Sequence, residues 1–196
     1  MTARASQTVP SDARDNAQRA ADTRARLLRA AEARARRDGP GHLSLDAVAA
    51  EAGVSKGGLL YHFPNKASLL EALVEAHLQR MEAALEAAEA RPDARPGGLL
   101  DAYLGHVLED CAAGTPPSSA FLAALVEHPR LLAPVGGRQR AMLDRIRADA
   151  PDPELASLAF VAVHGLRAMR LLGTAVMDEG EEEALLAGLR RRLAAP

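Results

Sequence analysis

The sequence predicts an all-α protein, and three observations lead there. Aromatic residues make up only 3% of 196 positions, with no Trp, so the core must be built from Leu, Ala and Val, a composition that favours helices over sheets. Apolar residues recur at helical spacing along most of the chain, and no stretch shows the sustained alternation of a half-buried strand. Gly and Pro gather between the periodic stretches, where they end helices. With 48% hydrophobic residues the chain has ample material for one large or two small domains.

Met1 to Gln18 mixes Ser, Asp, Arg, Thr and Pro without periodicity and is predicted to be a flexible tail, 1–18. It is either inert or a basic arm, with Arg4, Arg14 and Arg19 able to reach a minor groove or phosphates. From Asp22 to Asp38, Ala20, Leu27, Leu28, Ala31 and Ala35 define one apolar face of a first helix that ends at Gly39, Pro40 and Gly41. Arginines crowd its other faces, as solvated charge or as phosphate contacts, with Thr23 and Arg24 near its N-terminal end.

The next stretch, Leu43 to Lys66, organises the rest. Ser44 is an N-cap, Asp46 lies in the first turn where its charge meets the positive end of the helix dipole, and Leu45, Val48, Ala49 and Ala52 keep helical spacing up to Gly53. Glycine there closes a helix without steric penalty. Ser55 offers a second N-cap, Leu59, Leu60 and Phe63 form an apolar stripe, and Pro64 stops the second helix. Two short helices joined by a tight turn make a helix-turn-helix, whose second helix enters the DNA major groove.

Asn65 then caps a helix predicted from Lys66 to Ala90, with Leu69, Leu70, Leu73, Val74, His77, Leu78, Met81 and Leu85 in one stripe. At 1.5 Å per residue it spans ~37 Å, enough to join the small domain to the body. After the break at Arg91 to Gly98, helices are predicted over Leu99 to Ala113, Ser118 to His128, Leu131 or Val135 to Asp149, Pro153 to Met177 and Glu181 to Leu193. Asp152 caps the penultimate one with Pro153 at its first position. That helix is apolar over more than half its circumference, so it must be covered on more than one side, by its own core or by a second copy.

Charge and cysteine usage bound the function. Residues 1–66 hold 11 Lys and Arg against 7 Asp and Glu, a net of +4, whereas the remainder holds 13 against 19, a net of −6. A basic end attracts a phosphate backbone and an acidic body is repelled by it. The single Cys111 permits neither an intramolecular disulfide nor a paired-cysteine zinc site, which fits a reducing cytoplasm. Cys111 to Val126 is uncharged but broken by Gly114, Pro116 and Pro117, so neither export nor membrane insertion is expected. No Gly-flanked Ser elbow, phosphate loop or paired metal-ligand motif occurs, which leaves an enzyme built on Cys111 or His164 as a remote alternative.

Residues 19–78 resemble the DNA-binding domain of the TetR, or tetracycline-repressor-like, transcriptional regulators. The likeness is carried by Leu27, Leu28, Ala30 and Ala31, by SLDAVAAEAGVSKGGLLYHFPNKASLL with its Gly-Val-Ser turn, by Tyr61 and Phe63, and by Lys66 followed by Leu69 and Leu70. It implies a three-helix helix-turn-helix domain, 19–66, and a C-terminal helical ligand-binding and dimerisation domain, 67–196. Ser44, Ser55, Lys56, Gly57, Gly58, Tyr61, His62 and Lys66 join Thr23 and Arg24 as DNA-contact candidates. Tyr61 is expected to reach phosphate with its hydroxyl while its ring packs inward. Two glycines in so short a helix point to close approach of its backbone to DNA. The family often places a hydroxyl residue at the position of Gly58, so one phosphate contact is missing here.

For the body the resemblance implies a cavity lined from among His77, Met81, Tyr103, His106, Val107, Cys111, Phe121, Leu125, His128, Met142, Ile146, Phe160, His164 and Arg167. His164 and Arg167, three apart beside Phe160, form a polar end suited to an apolar, acidic ligand. The last two helices are implied to pair with a second copy, through Leu158, Ala162, Leu166, Leu185 and Leu189. The expected partners are a palindromic double-stranded operator, a small-molecule effector and a second subunit, with no cofactor, metal or membrane. The expected function is a repressor released by its ligand; the rival is a regulator with a filled core and no small-molecule inducer.

Overall fold

The computed structural model describes residues 11–38, 43–112, 128–171 and 173–194, and every regular element among them is helical. In chain order these are α1 (Ser11–Asp38), α2 (Leu45–Ala52), α3 (Lys56–His62), α4 (Lys66–Glu89), α5 (Gly98–Ala112), a 3-10 turn (Pro129–Leu131), α6 (Leu132–Asp149), α7 (Pro153–Leu171) and α8 (Glu179–Ala194). The helix expected from Ser118 to His128 lies outside the described residues, except for His128 itself.

Several helix ends shift by one or two residues from the sequence reading, and three boundaries have a physical reason. α1 reaches back to Ser11, into the stretch read as tail. Apolar periodicity reports burial, and Asp15 to Arg19 are exposed; Ala, Arg and Gln in this stretch supply helix propensity without a face to bury. α6 starts at Leu132 and runs through Pro134, Gly136 and Gly137. Pro134 is tolerated because it falls in the first turn, where an N–H has no intrahelical partner to lose. α7 ends at Leu171 and not at Met177, because Gly173 turns left-handed (φ 68°) and the Thr174 N–H bonds back to the Met169 carbonyl at 2.9 Å, the closing bond of a Schellman motif.

The interior forms two apolar clusters. The first joins α1 (Leu27, Ala31, Ala35), α2 (Val48, Ala49), α3 (Leu59 with the following Phe63) and the start of α4 (Leu69, Leu70, Leu73, Leu78). The second joins Met81 and Leu85 of α4 to Leu100, Tyr103 and Leu104 of α5, Met142 and Ile146 of α6, Phe160 and Val163 of α7 and Leu186 of α8. Each Leu or Phe fully removed from water contributes roughly 1.5–3 kcal/mol. One helix, α4, therefore belongs to both cores, and the division falls between Leu78 and Met81.

Helix ends in the body are fixed by carboxylates. Asp152 Oδ1 accepts the N–H groups of Glu154 and Leu155 at 3.0 and 2.9 Å, as the sequence predicts for the start of α7. Asp178 and Glu181 form a reciprocal capping box at the start of α8. The start of α5 is held from a distance: Asp149, at the end of α6, accepts Leu99 N–H on Oδ2 and Gly97 N–H on its carbonyl, both at 2.9 Å.

Candidate nucleic-acid interface and effector region

The helix-turn-helix is built by local hydrogen bonds that the sequence announces. Ser44 Oγ accepts Ala47 N–H at 3.2 Å, Gly53 closes α2 in the left-handed region (φ 63°), and Ser55 Oγ accepts Gly58 N–H at 3.1 Å. Asn65 Oδ1 accepts Ser68 N–H at 2.9 Å while Ser68 Oγ accepts Asn65 N–H at 3.3 Å, a complete capping box at the start of α4. The hydroxyl oxygens of Ser44 and Ser55 thus serve first as caps.

α3 buries Leu59 and, just beyond its end, Phe63. Tyr61 lies about 200° around the helix from Leu59, at roughly 100° per residue, and it is 80% exposed. Its ring does not pack inward as expected; it stands at the surface, edge-on to the His62 ring at 5.1 Å. Leu60, read in the sequence as part of the buried stripe, is 37% exposed. The sequence did carry that signal, since Leu60 follows Leu59 directly and cannot share its face. The outer face of α3 is therefore Lys56, Gly57, Leu60 and Tyr61, with His62 half-buried.

The two glycines have different reasons. A Cβ on Gly57 would meet nothing within 4 Å, which leaves room for close approach from outside. A Cβ on Gly58 would stand 2.9 Å from Val54 Cγ1 and 3.2 Å from Ser55 Oγ. The turn's own packing therefore accounts for Gly58, and the explanation through close approach to DNA fits Gly57 alone.

Around this face, Lys56 Nζ pairs with Asp46 of α2 at 2.9 Å, both side chains being largely exposed. Thr23 Oγ1 donates to the Arg19 carbonyl at 2.8 Å, and the Arg24 guanidinium lies over the Phe63 ring, 5.3 Å from its centre. Arg24 is thus anchored beside the end of α3 rather than extended. Lys66 opens α4, half-buried.

In the body, Met81, Tyr103, Val107, Met142, Ile146 and Phe160 meet in the second core cluster. Tyr103 stacks on Phe160 with ring centres 5.0 Å apart, and Phe160 packs on His164 at 4.4 Å. His164 Nδ1 lies 3.0 Å from the Phe160 carbonyl and 3.1 Å from Tyr103 Oη, so a proton on Nδ1 serves the carbonyl and a bare Nδ1 accepts from the phenol. Burial holds His77 neutral, its pKa pushed down to about 3, with Arg167 and Arg80 adding repulsion. Burial likewise lowers His164 and raises the Tyr103 phenol, against a hydrogen bond and charge from Arg167. Tyr103, His164 and Arg167 therefore form one polar group from α5 and α7, and His77 of α4 feels the charge of Arg167. His106 is half-buried nearby and perturbs His77. Phe121, Leu125 and the Cys111 side chain lie outside the described residues, and His128 is half-buried before the 3-10 turn.

On the outer surface of α7 and α8, Leu158 (63%), Val161 (61%) and Leu185 (37%) are exposed, and Gly165 and Ala168 continue the stripe on α7. Ala162 is half-buried at its border. Leu166, grouped with these in the sequence reading, points inward instead, one and two turns from Val163 and Ala159 on the covered face. Leu189 is partly buried against the same core. No helix among the described residues is long and apolar enough to cross a membrane.

Comparison with known proteins agrees with this architecture. Residues 27–73 match the family model for bacterial regulatory proteins of the tetR family, and residues 97–194 match that of the tetracyclin repressor-like C-terminal domain. The HTH-type transcriptional regulator TtgR of Pseudomonas putida is 31% identical over 91 residues, 46% of this chain and 43% of that protein, and the probable regulator ArpR of Pseudomonas putida matches equally. The alignment thus spans less than half the length of these relatives. A putative TetR-family regulator from Rhodococcus sp. shares the fold with a TM-score of 0.66 at 23% identity, covering 89% of this chain and all of that one. The multidrug binding protein EbrR, solved with malachite green, superposes with a TM-score of 0.61 at 24% identity, covering 88% and 98% of the two chains. The two family models between them take in the helix-turn-helix and the helical body, and the chain belongs to the TetR family of DNA-binding transcriptional regulators.

Proposed function

We propose that this regulator is a homodimeric repressor of a palindromic operator and that a small, largely apolar ligand in the body releases it from DNA. The observation that carries this reading is the placement of α4. Its first turn, with Lys66, adjoins the recognition helix, and its later turns bring His77 and Met81 to the polar group and apolar wall of the body. A ligand touching His77 or Met81 moves the same rigid helix that carries the DNA-binding domain. In a two-fold dimer the recognition helices must sit about one helical turn of DNA apart, ~34–36 Å, so a small swing of α4 in both subunits weakens both half-site contacts.

The chemistry of the polar group narrows the ligand. EbrR has been solved with malachite green and with ethidium. Here Arg167 and a neutral His77 favour a neutral or acidic aromatic compound over a cationic dye. The exposed Leu158, Val161 and Leu185 support dimerisation through α7 and α8.

The test uses a duplex selected from a randomised pool by the full-length protein. Aromatic carboxylic acids and cationic dyes are titrated into the protein with and without that duplex. Linkage requires each effector and the DNA to weaken one another by one common factor, typically ~5–150-fold. A bound effector whose affinity is the same with and without DNA excludes the inducer mechanism and leaves a regulator controlled by another route.

A further inference from the structure

α4 turns a row of glutamates toward α6, and α6 with the turn before it answers with arginines. Arg138 donates from Nε and Nη2 to the two oxygens of Glu82 at 2.8 and 2.6 Å, and from Nη1 to Glu75 at 2.5 Å. Arg145 donates to both oxygens of Glu89 at 3.1 and 2.8 Å, and Arg130 pairs with Glu71. Glu75, Glu82 and Glu89 are seven residues apart, as are Arg138 and Arg145, so the pairs repeat every two turns along one seam. Such half-exposed pairs contribute little stability singly. A bidentate ladder does fix register, because sliding one helix past the other breaks every rung together.

At the start of the same α6, Val135 is 4% exposed and lies in the core of the DNA-binding half, with Leu27, Leu70 and Leu78. Among the described residues it is the one member of that cluster from beyond Leu78. Val135 and Arg138 also line, with Arg24, Ser68, Leu78 and Pro134, a groove of about 390 Å³ between α1, α4 and α6.

We infer that Val135 and Arg138 are positioning residues that lock the DNA-binding domain onto α6 and thereby set the distance between half-sites that the dimer accepts. Val135 joins α6 to the domain's core, and Arg138, one turn further on, prevents α4 from shifting along that plug. Neither side chain needs to touch DNA; both act through the orientation of α3. The inference rests on the reading of a dimer on a palindrome.

The experiment measures binding of the full-length protein to its selected duplex and to versions with one or two base pairs inserted between the half-sites. Two inserted pairs move the half-sites apart by roughly 7 Å and rotate them by roughly 70°. Each duplex offers the same phosphates, so the ratio of affinities cancels the counterion term. The wild type is expected to prefer native spacing by roughly 100-fold, in the range of a lost specific contact or two. Arg138→Gln, a change at a half-exposed side chain, and Val135→Ala are each expected to cut that preference to roughly tenfold or less while leaving affinity for an isolated half-site unchanged. A general loss of folding lowers half-site and full-site binding together and does not reproduce this pattern. If both variants retain the wild-type spacing preference, the inference is wrong. If the wild type itself shows no spacing preference, the palindromic-dimer reading fails and takes the inference with it.

Discussion

Gly57 and Gly58 are neighbours on one short helix, yet substitution should separate them. Gly57→Ala adds a methyl group to open space and removes backbone freedom from the unfolded chain, so it should stabilise the protein by about 0.5–1 kcal/mol. Gly58→Ala drives a Cβ to 2.9 Å from Val54 and should cost stability while shifting α3 against the turn. Thermal melts of the two variants check both signs, and equal Tm shifts would contradict the packing account. A second residue-scale expectation comes from His77, whose folded pKa of about 3 lies below its unfolded value of 6.5. Between those values the unfolded state binds the proton and the folded state does not. The contribution is therefore complete above about pH 6.5 and is lost as pH falls toward 3, at up to about 1.4 kcal/mol per pH unit. Carboxylates held low by arginine, such as Glu82, act in the same direction but only below their unfolded value of 4.5. Urea midpoints at pH 7 and pH 5 should differ clearly for the wild type and less for His77→Phe, with His164 supplying part of the remainder.

At the scale of elements, the outward stripe of α7 makes a sharper test of dimerisation than Leu185 and Leu189. Leu189 also supports its own subunit's core, so charging it confounds folding with association. Leu158 and Val161 are both over 60% exposed, and replacing both with Glu should leave the subunit folded while placing four charges in the proposed dimer seam. Light scattering should then report monomers with unchanged helicity; a persistent dimer would move the interface elsewhere. Legibility in the sequence divides between contacts made a few residues apart and the covered sides of helices. Ser44, Ser55, Asn65 and Asp152 were readable because an N-cap side chain accepts an N–H two or three residues on, and Gly53 because its own N–H closes on the Ala50 carbonyl three residues back. The outward direction of Tyr61 and the inward direction of Leu166 depend on which side of a helix is covered, and periodicity on a short or broadly apolar helix leaves that open. The clash behind Gly58 needed the position of Val54. The start of α1 was hidden because helix propensity without burial leaves no stripe.

Over the whole molecule, charge and shape point the same way. The basic first third, +4 over residues 1–66, carries α3 and Lys66, and the body at −6 hangs from it along α4. Lys66→Ala should weaken binding to selected and random duplexes alike and lower the slope of log K against log salt by about one unit. Lys56→Ala removes a cation that Asp46 already partly neutralises, so its signature should be altered preference among sequences more than a changed slope. Titrations at several salt concentrations distinguish the two, and identical behaviour of both variants would argue against the docking of α3.

The long-range cap on α5 has a consequence for how the chain comes off the ribosome. Domains fold as units during synthesis, N-terminal first. When Leu99 emerges, its N–H has no partner until Asp149 follows fifty residues later. The DNA-binding half, by then fully translated, still lacks Val135 in its core. Both vacancies are filled by the same helix, α6, whose two ends complete the two halves of the protein. Synthesis of residues 132–149 therefore supplies a contact that each half of the protein waits for.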